Sequence, residues 1–234
     1  MLSIFDGFLE VTFVPLYAIT FLIALWRYPK YYDTALKYFP ILLFYTFLTE
    51  LLGMIIRYTD IDLFVNEYYA NNNLLIFNIY YIVSFLFFFV VYHIYLSRPQ
   101  HKTVTLILII FFAVTAIINA VTESFLFAGQ VYTYVAGGLG TLVCTSLYLI
   151  ENKKERQHWL VQRDLLSWIS LGMLIFFLVY TPIKIIKQYW YMIGETEHPL
   201  SRRIHLSVLI FMYVCFILGF LKMDRFTLKR KINS

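Results

Sequence analysis

Leu74–Leu96 reads LLIFNIYYIVSFLFFFVVYHIYL, a run without a single Asp, Glu, Lys or Arg. About 20 apolar residues suffice for a helix to cross the hydrocarbon of a bilayer, where every backbone polar group must be satisfied within the segment or in a closed barrel. Apolar residues occupy nearly all faces of this run instead of alternating, which selects a helix over a barrel strand. Six further stretches are long and predominantly apolar: Leu9–Trp26, Leu36–Ile56, Val104–Val121, Val131–Ile150, Leu165–Tyr189 and Ile204–Leu221. The sequence therefore predicts an all-α polytopic membrane bundle of seven transmembrane helices. Residues 1–234 are read as one domain, with a short basic cytoplasmic tail at 222–234.

Composition agrees. With 61% apolar and 14% charged residues in 234, and a mean hydropathy of +0.71, the apolar content exceeds what a soluble sphere of this size can enclose. Cys144 and Cys215 lie in separate apolar segments and form no CxxC pair, so they read as small buried hydrophobes. The net charge of +5 sits in short links and in the tail rather than on an amphipathic surface, which points to membrane sidedness and away from nucleic acid. The opening MLSIFDGFLEVTFVP carries Asp6 and Glu10 where a secretory leader would carry Lys or Arg, and the first segment is expected to remain as a helix.

Lys/Arg asymmetry sets the expected direction. With the N-terminus outside and the C-terminus cytoplasmic, only Arg57, Lys184, Lys187, Arg202 and Arg203 face outward, leaving 14 of the 19 Lys and Arg residues inside. The expected location is a cell membrane, the inner membrane in a bacterium, with membrane lipid as the surrounding partner.

Given that direction, the polar residues of the spans collect in the outer leaflet. Glu50, Asn78, Asn119, Glu123, Lys184 and His205 are the candidate ligand-binding or polar-network residues. Glu50 lies seven residues inside Arg57, roughly 10 Å at the helical rise, where a carboxylate must be paired, protonated or hydrated. Lys184 matches it in depth, and the expectation is that Glu50 meets Lys184 in the bundle interior with Asn78 sharing the network. Pro182 lacks the N–H that would bond the Leu178 carbonyl and predicts a kink in the sixth helix. Ala136, Gly140 and Cys144 recur at i, i+4 as a small-residue stripe for close helix packing. Tyr80 and Tyr81 lie near a span end and read as aromatic-belt residues. His93 stands without a paired histidine or a carboxylate cluster, so no metal and no cofactor is implied.

Seven spans with an external N-terminus is the topology of retinal proteins and of many receptors, but their residues are missing. Lys222 lies at the cytoplasmic end of the seventh helix rather than its middle, and Leu74–Leu96 holds no acidic residue. No acidic-Arg-Tyr triplet ends the third helix and no Asn-Pro-x-x-Tyr pattern marks the seventh. In topology alone the chain resembles the seven-helix sensing modules that precede bacterial kinase or cyclase domains.

The favoured function is a sensor or receptor-like module. It binds a small or lipophilic ligand in a cavity open to the outer side and signals through a separate protein partner at residues 151–164, ENKKERQHWLVQRD. A small proton-coupled transporter using Glu50 is the alternative, followed by a lipid-modifying membrane enzyme and a non-catalytic subunit of a membrane complex. The scattered acids and histidines favour a non-enzyme, with no catalytic residue assigned.

Overall fold

A computed structural model describes residues 4–58, 74–126, 128–195 and 198–224. Seven long helices run through them: α1 (Ile4–Arg27), α2 (Phe39–Tyr58), α3 (Leu74–Tyr95), α4 (Pro99–Thr122), α5 (Val131–Arg156), α6 (Leu165–Met192) and α7 (Pro199–Lys222), with short 3₁₀ turns at Tyr28–Lys30 and Ala35–Tyr38. Among the described residues, six helices, α2 to α7, are long and apolar enough to cross a membrane. The chain is an all-α, multi-pass integral membrane protein.

Helix ends follow local chemistry more than hydropathy. Pro99 and Pro199 open α4 and α7, where a missing N–H costs nothing. Asp164 caps α6 by accepting from Leu166 N. The fifth apolar span ends at Ile150, yet α5 continues to Arg156 because Glu151 and Asn152 are fully buried inside the protein rather than marking an exit to water.

Packing is circular. α1 lies against α2, α2 against α3, α3 against α5, α5 against α6, α6 against α7, and α7 returns to α1. α4 stands outside this ring in the groove between α3 and α5. Of the apolar window of α4, 22% is buried, against 61% for α5. The buried residues of α4 fall on one stripe, Thr105, Phe112 and Asn119, while Ile107, Ile110, Phe111, Val114 and Ile117 are exposed from the protein and face where lipid would lie.

Small residues on α5 let the ring close. The Ala136–Gly140–Cys144 face is turned inward, and a Cβ built at Gly140 would stand 2.7 Å from Phe89 Cζ on α3. Gly137 meets Phe85 still more closely. On the opposite side of α5, Gly138 faces Thr181 and Phe177 of α6. Pro182 lies inside α6, which continues to Met192.

Candidate functional site

The six-helix ring encloses a cavity of about 140 Å³ that every ring helix lines and α4 does not reach. α2 contributes Phe39, Leu42, Leu43, Thr46 and Glu50, spaced as one face of a helix. α7 contributes His205, Leu209, Met212, Tyr213 and Phe216 with the same spacing. One end of the cavity is polar, built around Glu50, Tyr80, Tyr81, Tyr134, Tyr180 and His205. The other end is closed by Phe39, Phe88, Met173 and Phe216.

Aromatic packing fixes this wall. Tyr17 of α1 and Tyr213 of α7 meet edge to face at 4.5 Å between ring centroids. Tyr81 meets Tyr134 in the same way at 4.9 Å. His205 stacks on Tyr180 at 3.8 Å with the planes 12° apart. The Thr46 hydroxyl lies 2.9 Å from the Leu42 carbonyl and 3.1 Å from the Tyr80 hydroxyl, tying α2 to α3 beside the cavity.

Glu50 is the one carboxylate among the described lining residues, and it lies within electrostatic reach of the hydroxyls of Tyr17, Tyr80, Tyr81 and Tyr213. Two lysines stand against rings of the lining. Lys184 Nζ lies 5.6 Å from the Tyr134 ring centroid and Lys187 Nζ 5.7 Å from that of Tyr180, and both lysines, with Arg202, act on His205. Glu50 and His205 thus share one cavity, with Lys184 set against one of its rings.

Asn78, Asn119 and Glu123 occupy a different place. Asn78 donates to the Phe125 and Ala128 carbonyls, both at 2.9 Å, and accepts from Gln130 N. Asn119 donates to Glu123 Oε2 and accepts from Thr133 N and Oγ1. These three side chains brace the α4–α5 link against α3.

A second buried polar cluster sits at the far end of the bundle. Glu151, fully buried, accepts from Ser97 N and Arg98 N at the start of α4 and lies 2.7 Å from His101 Nδ1. Asp164 accepts from the Tyr148 hydroxyl and from Ser167 Oγ, and Asn152 Nδ2 donates to Ser167 Oγ. Tyr92 and Ser170 pair at 2.9 Å one turn below Phe88 and Met173. In the sequence Glu151, Asn152 and Asp164 stand within a charged link, and the clue to their burial is that each sits at the edge of an apolar run rather than inside the KKER cluster. Nearby, burial pushes the Tyr31 phenol above its ordinary range, so it stays a donor to the Ala24 carbonyl at 2.7 Å.

No three His, Cys, Asp or Glu side chains converge in a metal-binding arrangement among the described residues. Comparison of the chain with protein families, with curated proteins and with solved structures finds no match.

Proposed function

We propose that the bundle is a ligand-sensing membrane module whose site is the cavity inside the six-helix ring. The observation that carries this reading is the meeting of Glu50 and His205, from α2 and α7, in the wall of one space lined by all six ring helices. Intramembrane ionisable groups facing a cavity are costly and mark functional paths more often than passive packing. In the proposed orientation the N-terminus is outside and the C-terminus cytoplasmic. The polar end of the cavity then faces outward, and the link between α5 and α6 faces the cytoplasm. The last turn of α5 and that link carry exposed Lys153, Lys154 and Trp159 beside the buried Asp164, so a shift of α6 against α5 moves a surface suited to a protein partner.

A cysteine introduced at Trp159 reports such a shift. In nanodiscs its labelling rate is expected to change when extracts of the native membrane lipid fraction are added, and to stop responding in Leu209→Trp, which fills the cavity. An unchanged rate in both proteins contradicts the sensing role.

Transport is the second reading, and one observation favours it. The Tyr92–Ser170 pair and the Tyr148–Asp164–Ser167–Asn152 chain supply polar groups below the aromatic floor of the cavity. Proteoliposomes loaded with a pH-sensitive dye separate the readings: a proton flux lost in Glu50→Gln supports transport, and equal flux in the two proteins excludes it.

A further inference from the structure

We propose that the end of the bundle where α1 and α7 finish binds anionic phospholipid headgroups, seated on four cation–aromatic pairs around its edge. The proposal is independent of the cavity.

Contacts between helix ends place these pairs on one face of the protein. Arg27 at the end of α1 donates through Nε and Nη2 to the Phe220 and Leu221 carbonyls of α7, at 2.9 and 2.6 Å. Buried Glu151 of α5 accepts from Ser97 N and Arg98 N where α3 passes into α4. Tyr31, between α1 and α2, lies against Phe220. On this face Arg27 Cζ stands 5.1 Å from the ring centroid of Trp26, and Lys37 Nζ 4.8 Å from that of Tyr38. Lys153 Nζ stands 4.4 Å from Trp159, and Lys222 Nζ 4.9 Å from Trp168. The pairs belong to α1, to the turn before α2, to the α5–α6 link and to the meeting of α6 with α7, so they spread around the edge instead of gathering at one point.

Indole and phenol rings favour the headgroup level of a bilayer, and a cation whose stem lies along such a ring keeps its charge at that level. Trp168 is buried and its Nε1–H donates to the Gln162 carbonyl at 2.9 Å, which fixes the ring beside Lys222. The residues next to the pairs favour lipid over a free anion. Leu22 and Leu25 near Trp26, Ile41 near Tyr38 and Leu221 beside Lys222 are exposed and apolar, so acyl chains find a wall directly under a phosphate held by the cations. Acidic residues of this end do not cancel the charge. Glu151 and Asp164 are buried and engaged by donors of the protein, and Asp224 faces Arg163 at 3.8 Å. Exposed Asp33 and Glu155 are outnumbered by exposed Lys37, Lys153, Lys154 and Lys222, which leaves a positive face toward the level of anionic headgroups.

The test uses the full chain in vesicles of equal parts phosphatidylglycerol and phosphatidylcholine, with brominated acyl chains on one lipid or the other. Bromine quenches a tryptophan that its lipid touches, and Trp190→Phe leaves Trp26, Trp159 and Trp168, all at the proposed surface, as the reporters. Phosphatidylglycerol is expected to be preferred about threefold or more, and the preference should fall to within about 1.5-fold when Lys37, Lys153 and Lys222 are all changed to Gln. Raising NaCl from about 0.05 to about 0.5 M on the unaltered lysines should lower it similarly, an arm that holds whether or not the triple variant folds. Equal quenching by the two lipids overturns the proposal, as does a preference that survives in a folded triple variant. Loss of the preference in inorganic phosphate, but not in chloride of the same ionic strength, assigns the surface to a free anion and also overturns it.

Discussion

His205 lies flat against Tyr180, their ring centroids 3.8 Å apart, so a stack of these two rings joins α6 and α7 at the cavity wall. The stack depends on a planar ring at position 205 and not on its charge. His205→Phe is expected to stay within about 1 kcal/mol of the wild type in stability, whereas His205→Ala loses the stack and enlarges the cavity, costing about 2–3 kcal/mol. Thermal denaturation of both variants in one detergent ranks them, and an equal loss contradicts the role of the stack.

Close approach of α5 to α3 gives a second test. Phe89 is fully buried and a Cβ at Gly140 would press on its ring, so Gly140→Ala should destabilise by about 1–3 kcal/mol. Gly129→Ala is the control, since its Cβ would meet only Leu74 Cδ2 at 3.9 Å, an ordinary contact. Indistinguishable melting of the two variants would argue against tight α3–α5 packing.

Glu151 anchors the start of α4, the helix outside the ring. Glu151→Ala leaves two backbone N–H groups and His101 without their acceptor and should cost about 3 kcal/mol, with Glu151→Gln costing less because one oxygen remains. Glu155, exposed one turn further on, should be replaceable by Ala within about 0.5 kcal/mol. Limited proteolysis near residues 97–103 reads the loosening directly, and equal cleavage of the Glu151→Ala and Glu155→Ala proteins would contradict the anchoring.

These residues also show what the sequence could and could not convey. Existence of the helices was legible because a long apolar run has few alternatives to a helix in lipid. Distance from a span end can also be counted, which is how Glu50 and His205 come to be expected at one level, and both line the cavity. Rotation about each helix axis was not. When lipid covers one face and neighbouring helices the other, both are apolar, and the periodic contrast that marks a core face in a soluble helix disappears. Tyr80 and Tyr81 therefore read as belt residues although they line the cavity. Asn78 shares the depth of Glu50, yet its amide is committed to the Phe125 and Ala128 carbonyls. Glu151 looked like the edge of a cytoplasmic link because charge ordinarily marks water, and only its two N–H donors and His101 reveal why it is buried.

The central claim, that the six-helix ring holds a ligand cavity reached from the side of Glu50, is tested most directly by a single thiol at Ser84, which lines the cavity on α3. Ser84→Cys is placed in a chain with Cys144→Ala and Cys215→Ala and reconstituted in sealed vesicles of known orientation. A charged, membrane-impermeant methanethiosulfonate is then added from each side. The account predicts modification from the Glu50 side only, slowed about tenfold or more when Leu209→Trp fills the same space. Modification from neither side, or at a rate that Leu209→Trp leaves unchanged, would contradict it.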